Sequence, residues 1–279
     1  MNAMPALVAA TIGMLSGAHA SIWGMYKDAA HEGFFWTRFS RSIFIGAACG
    51  AVIQMTLALP TSDAASLFLL FGLAYAAERG VVETWKTFVR NEDQSKYFIP
   101  MQFTVRGRPV ESRVVRLVAG IGYVIAVGVC LMAIARLDGG GGARVSTMAL
   151  VGLVTGLIIA IGGGWKDAPK EGFDPIKFMR SPAMTVFYTI LLSRVTDSYL
   201  LAAVGSIGFE RATAETYKTF FFPDTPRGKF AGMPVHFPEM HRHRRFAVPA
   251  FIAIWAVVVW LGAMALGSPT ALLFASEGR

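Results

Sequence analysis

Two strings of polar residues each occur twice in this chain, and a duplicated sequence predicts a fold built from two like halves. Tyr26-Lys27-Asp28-Ala29-Ala30-His31-Glu32-Gly33-Phe34 returns 139 residues later as Trp165-Lys166-Asp167-Ala168-Pro169-Lys170-Glu171-Gly172-Phe173. Over Tyr26 to Ser42 and Trp165 to Ser181, nine of seventeen positions are identical, including Arg41 with Arg180 and Ser42 with Ser181. A second string, Glu78-Arg79-Gly80-Val81-Val82-Glu83-Thr84-Trp85-Lys86-Thr87-Phe88, recurs as Glu210-Arg211-Ala212-Thr213-Ala214-Glu215-Thr216-Tyr217-Lys218-Thr219-Phe220. The expected organisation is a first membrane repeat over residues 1–138, a glycine-rich linker over 139–146 and a second membrane repeat over 147–279. The run of four glycines from Gly139 lacks the Lys and Ser/Thr of a phosphate loop and reads as a connector.

What surrounds the strings is too apolar for an ordinary soluble domain. Of 279 residues 54% are hydrophobic and 16% charged, and the mean hydropathy is +0.50. Runs such as Leu117 to Ala135 and Val248 to Leu266 are near the length that crosses a hydrocarbon layer of roughly 30 Å. The run from Pro5 to Trp23 has no basic segment before it and reads as a first span, not a signal peptide. Further spans are expected over Arg41 to Leu59, Ala65 to Ala77, Val114 to Ala135 and Thr147 to Gly164, with Val248 to Leu266 as the last. The first Glu-Arg string is expected as a helix lying at the interface, Val81, Val82, Trp85, Phe88 and Val89 on its apolar side.

Basic residues assign the sides. Four segments, Gly24 to Ser42, Glu78 to Arg116, Lys166 to Arg180 and Glu210 to Arg245, hold 22 of the 26 Lys and Arg residues. The positive-inside rule makes them cytoplasmic. Each half then crosses an even number of times, which gives parallel repeats about an axis along the membrane normal. The expected fold is therefore an all-α integral membrane protein of about eight transmembrane segments in two parallel four-segment repeats, with interfacial helices on the cytoplasmic side. A bacterial inner (plasma) membrane is the expected location, with both termini outside. Used for topology, the net charge of +8 does not argue for nucleic acid. The expected partners are membrane lipids, whose anionic headgroups meet the basic cytoplasmic loops; a homo-oligomer or membrane complex is compatible.

Only 29 residues separate Ser181 from Glu210, against 36 from Ser42 to Glu78, so two crossings there average only about 14 residues each, short of the typical span of about 20. The reading preferred to one long tilted helix is a hairpin of short segments turning at Ser193 to Ser198. Charges in an apolar region tend to pair or to line a wet path. Arg194 and Asp197 are thus candidates for an anion contact and its neutralising partner, beside the alternative of an ordinary headgroup-level turn.

The Lys-Asp strings admit two chemistries. In one, Asp28 and Glu32 with Asp167 and Glu171 hold Mg2+ against a diphosphate while Lys27, Lys166, Arg41 and Arg180 bind phosphate oxygens. This layout resembles that of intramembrane prenyltransferases of the UbiA type, whose two acidic segments also face the cytoplasm. The Asn-Asp-x-x-Asp pattern of that family is absent, as is the Asp-Gly-x-x-Ala-Arg pattern of CDP-alcohol phosphotransferases, and Pro169 disfavours the helical turn that would align Asp167 with Glu171. In the other chemistry the strings are fasteners or gates, as in the loop motif repeated in both halves of major-facilitator transporters. Lys27 with Asp28, and Glu32 with Arg38 or Arg41, form ion pairs; Gly33 and Gly172 supply turns; Phe34 and Phe173 anchor. Near-identity of the two copies favours this second reading, because a catalytic centre needs unlike halves.

In the Glu-Arg strings, Arg79 to Glu83 and Arg211 to Glu215 are i,i+4 pairs, and Glu83 to Lys86 and Glu215 to Lys218 are i,i+3 pairs. Glu78 and Glu210, at the membrane ends, need partners. His236, His241 and His243 with Glu239 read as a polybasic, headgroup-facing patch with Arg242, Arg244 and Arg245, since those cations repel a metal. His19 reads as a buried, satisfied histidine, and Cys49 and Cys130 as small buried thiols.

Three functions follow: a transporter or flippase-like carrier for an anionic or lipid-linked, phosphate-bearing solute, without a cofactor; an Mg2+-dependent transferase or phosphotransferase acting on a lipid phosphate; and a structural membrane subunit that recruits a partner.

Overall fold

Where backbone groups meet no water, an α-helix satisfies them within one segment. The computed structural model, described for residues 3–139, 144–221 and 228–267, is accordingly helical. Its eight α-helices are α1 Met4–Glu32, α2 Trp36–Leu57, α3 Ala64–Thr84, α4 Arg113–Ala135, α5 Val145–Glu171, α6 Pro175–Leu192, α7 Tyr199–Phe220 and α8 Met240–Leu266. The Lys-Asp strings close α1 and α5, where Gly33 and Gly172 take φ of 78° and 81° and return their N–H groups to Ala29 and Ala168. That left-handed backbone favours glycine, and it fixes the sharp entry into α2 and α6. Side chains cap the starts of α3, α4, α6 and α7 through Asp63, Ser112, Asp174 and Ser198.

Six of the helices are long and apolar enough to cross a membrane, against the eight expected; α6 and α7 are not among them. Glu210, Arg211, Glu215 and Lys218 make α7 too polar, and α6 has only 18 residues, with Lys177 and Arg180 among them. The chain between Ser181 and Glu210 is a hairpin that turns at 193–198.

Small residues let the helices touch backbone to backbone, the usual means of close packing in a lipid-like surround. Between α1 and α2, a Cβ added at Gly13 would lie 2.1 Å from the Gly46 carbonyl oxygen, and one at Gly17 2.0 Å from that of Ser42. Between α5 and α6, Gly152 and Gly156 meet Thr189 and Thr185, and the Thr185 hydroxyl donates to the Gly152 carbonyl at 2.8 Å. In the centre α3 crosses α7 at Gly72 and Gly208, flanked by Phe68, Phe71 and Phe209. Helix α8 lies on α1 and α3, with Phe251 against His19 and Gly262 under Phe68. Helix α4 is nearly bare, burying only Arg116 and Gly120.

The first Glu-Arg string is not a separate interfacial helix. It prolongs α3 and ends in a π-helical turn, Trp85–Val89. Its polarity is also reversed: Arg79 and Glu78 are buried, while Val81 and Trp85 are 53% and 42% exposed. Only Val82 and Phe88 of the expected apolar side turn inward. The charges lie inside, where they find one another.

Two connections close this polar end. The α3–α4 connection carries a two-residue hairpin, Thr104–Val105 with Arg108–Pro109, turning through Arg106 and Gly107 at φ of 51° and 76°. It lies across the end of α5: Trp165 Nε1 donates to the Thr104 carbonyl at 2.9 Å, and Gly107 rides on Pro169. Reciprocally, the segment before α8 lies across the end of α1, with the His236 and Phe237 N–H groups on the Ala30 carbonyl and His31 stacked on Phe230. The Phe98 N–H joins the two by donating to the Lys229 carbonyl at 2.8 Å.

Candidate functional site

At the closed end the four strings meet. Glu78, Glu210 and Glu215 are 0%, 3% and 1% exposed, so each needs compensation for its lost hydration. The two Glu-Arg strings obtain it differently. In the first, Arg79 grips Glu78 with Nε and NH2 at 2.5 and 2.6 Å and reaches the Ser42 hydroxyl at 3.2 Å. In the second, Arg211 turns to Glu215 at 3.1 Å, and Glu210 receives the Ser181 hydroxyl at 2.6 Å. Glu215 also holds Lys27 of α1 at 3.2 Å and Lys218 at 3.6 Å. Glu83 has Arg79 at 3.5 Å and Lys86 at 3.4 Å. The helical pairs expected from spacing are therefore all formed.

Three more cations enter this cluster without forming an ion pair among the described residues. Arg41 lies 5.7 Å from the Trp85 ring, and Lys166 Nζ lies 3.5 Å from the Met101 sulfur. The Nε atoms of Arg41 and Arg180 are buried and donate to no hydrogen-bond partner among the described residues. Lys27, Arg41, Arg79, Lys86, Lys166, Arg180, Arg211 and Lys218 thus gather around Glu78, Glu83, Glu210 and Glu215, with Asp167 within electrostatic range of Lys166. In this set eight basic groups face five carboxylates.

The acidic pairs of the Lys-Asp strings lie apart from each other, each on a lysine. Lys229 sits 3.0 Å from Asp28 and 3.2 Å from Glu32, and Arg38 adds a contact to Glu32 at 2.8 Å. Lys177 lies 3.2 Å from Asp167 and also bonds Glu171. Pro169 does not prevent that second alignment: α5 runs through it to Glu171, because a proline in the last turn forfeits a single backbone bond. Among the described residues no three His, Cys, Asp or Glu side chains gather closely enough to hold a metal.

Arg194 and Asp197 are exposed in the turn at the opposite end of α6 and α7 and form no ion pair with each other. The basic patch is partly engaged too, since Arg244 Nε donates to the Tyr26 carbonyl at 3.1 Å and its guanidinium lies 4.6 Å from the Tyr26 ring. His241 and His243 are exposed on the first turns of α8. His19 is fully buried, its Nδ1 3.1 Å from the Tyr75 hydroxyl, which also accepts Trp23 Nε1 at 3.0 Å; its Nε2 has no partner. Of the two cysteines, Cys130 is exposed.

Lys229 and Lys177 are the residues that motif reading missed. Lys177 follows Glu171 by the same six positions that separate Arg38 from Glu32, a spacing that marks it in retrospect. Lys229 carries no such signal. Burial alone would lower the Lys229 pKa, but Asp28 and Glu32 outweigh it and hold it above the usual lysine value. Nearby, burial pushes the Tyr97 phenol up, helped by Glu32 and Glu92. Burial also acts to raise Glu92, yet its hydrogen bond from Lys96 and the Arg90 charge prevail and hold it low. Comparison with protein families, with curated proteins and with solved structures finds no match to this chain in any of the three.

Proposed function

We propose that this chain is an integral membrane carrier for an anionic or lipid-linked, phosphate-bearing solute, built as two parallel repeats with the closed end facing the cytoplasm. The observation that carries the reading is the surplus of positive charge at that end, where eight basic groups share five carboxylates. A partly desolvated surplus of this kind is completed by an anion, and Arg and Lys are the side chains that bind phosphate oxygens. The two straps that cross from one half to the end of the other would couple any opening of the halves. Six apolar helices and the outward-turned Val81 and Trp85 support the membrane setting.

An Mg2+-dependent enzyme has less to draw on, since a lysine already lies between the carboxylates of each acidic pair. A structural role in a membrane complex draws on α4, whose Val114, Val118, Ile121 and Ile125 face outward. The test is reconstitution into phosphatidylcholine vesicles, following protein-dependent movement of fluorescent phosphatidate and uptake of inorganic phosphate. Movement of either probe, lost in Lys166→Gln, is expected. No protein-dependent movement of either overturns the reading.

A further inference from the structure

Lys27 and Lys166 hold the same position in the two Lys-Asp strings, yet their partners differ in kind. Lys27 of α1 has the Glu215 carboxylate of the second Glu-Arg string at 3.2 Å. By the repeat, the partner of Lys166 would be Glu83 of the first. Glu83 does lie within electrostatic range of Lys166, but its ion pairs are with Arg79 at 3.5 Å and Lys86 at 3.4 Å. Asp167, also within range, is paired with Lys177 at 3.2 Å. What Lys166 Nζ meets instead is the Met101 sulfur, 3.5 Å away. A thioether is a weak acceptor, whereas an ammonium carries three donors.

Met101 belongs to the α3–α4 connection, is 9% exposed, and packs with Tyr97 and Phe230. Its segment has neither helix nor strand from Arg90 to Phe103. Both the Met101 and the Gln102 N–H donate to a single side-chain oxygen, Gln94 Oε1, at 2.8 and 3.1 Å, and Gln102 Nε2 donates to the Arg90 carbonyl at 2.8 Å. A segment held by separate neutral bonds, without a ladder, opens locally at less cost than the helices beneath it.

We infer that Lys166 receives a phosphate-type oxyanion and that Met101 is the lid over it, lifted when the anion takes the sulfur's position. The inference rests on the anionic-solute reading and names the residue that receives the anion and the segment that must move. An ammonium that exchanges a thioether for an oxyanion gains a charge-assisted bond, the kind that Lys27 makes in the other half. Arg211 and Lys229, within electrostatic range of Lys166, attract the same anion.

Calorimetry and hydrogen exchange on the purified chain in neutral detergent test this, with inorganic phosphate and lysophosphatidate as probes for a free and a lipid-linked source. At least one probe is expected to bind, and to bind about 10-fold more weakly to Lys166→Gln, the loss of one bond to a charged group being on that order. Met101→Ala removes the lid and should tighten the same probe about 3-fold or more, because a closed form that excludes ligand lowers apparent affinity. Met101→Glu gives Lys166 a carboxylate of its own, and should weaken binding about 10-fold while raising the melting temperature. In the unaltered protein, saturation with the probe should speed exchange at the Met101 and Gln102 amides about 10-fold. Binding that is unchanged or weaker in Met101→Ala, or added protection of those two amides, would show that Met101 is no lid. A probe that binds equally well to Lys166→Gln overturns this site while sparing the anionic-solute reading; no binding of either probe overturns both.

Discussion

Lys27 on α1 places its ammonium 3.2 Å from the carboxylate of Glu215 on α7, joining a Lys-Asp string of one half to the Glu-Arg string of the other across 188 residues of sequence. Arg211 and Lys218 meet the same carboxylate from its own helix, so Glu215 is the buried anion on which three partly exposed cations converge.

Removing that anion should cost far more than removing one of its cations. Glu215→Gln leaves Lys27, Arg211 and Lys218 uncompensated, and breaking a buried pair in this way costs on the order of 3–5 kcal/mol. Lys27→Met leaves Glu215 with two partners and should cost about 1 kcal/mol. Thermal unfolding in detergent measures both; an equal or reversed order would mean the carboxylate is not the hub.

Lys229 should hold the two straps together. In Lys229→Ala, Asp28 and Glu32 face each other without their shared cation, and the segment bearing Phe230 loses its anchor on α1. Hydrogen exchange at the amides of Phe98, His236 and Phe237 is expected to speed up about 10-fold, equivalent to roughly 1.4 kcal/mol of easier local opening. Unchanged protection would show that the backbone bonds alone keep the straps docked.

The same region should loosen at both ends of the pH range. Lys229 and Tyr97 have raised folded-state pKa values, so their contribution is complete below the unfolded values and is lost as pH rises through the folded ones, in strongly alkaline solution. Glu92 is held low, so its contribution is present above the ordinary carboxylate pKa and is lost as pH falls through its folded value. Protection of the strap amides, relative to the intrinsic exchange rate at each pH, should therefore be greatest on a broad neutral plateau. A loss of protection confined to one side would contradict this assignment.

Two glycines in the central pair of helices should respond oppositely to alanine. A Cβ at Gly208 would lie 2.0 Å from the Gly72 carbonyl oxygen, whereas one at Gly80 meets nothing within 4 Å. Gly208→Ala is expected to destabilise by about 1–3 kcal/mol or more through forced separation of α3 and α7. Gly80→Ala should stabilise by roughly 0.5–1 kcal/mol, since alanine is the better helix former. The two melting temperatures compare them directly.

Much of this arrangement is written in local order along the chain. Periodicity and apolar run length dictate helices, and both glycines that end the Lys-Asp strings turn the chain where a positive φ is required. The i,i+3 and i,i+4 pairs of the Glu-Arg strings follow from helical pitch alone, as does the hairpin forced between Ser181 and Glu210 by its shortness.

Contacts between distant segments were decided elsewhere. Nothing near Lys229 indicates that it will settle between Asp28 and Glu32, because that meeting depends on how the approach to α8 crosses the end of α1. Which face of Glu78 to Phe88 turns inward depends likewise on what lies on each side: spacing defines two faces, and only the neighbouring helices, with Ser42, Lys166 and Arg211 on them, make the charged one the interior. Arg41 and Arg180 occupy matching places in near-identical strings, yet Arg41 lies beside Trp85, while Arg180 borders a cavity between α6 and α7 through its apolar atoms. Repetition in the sequence supplies near-identical strings; the π-helical turn of α3 and its packing on α4 make their surroundings unequal, because a side chain's surroundings are assembled from residues that only the folded chain brings together.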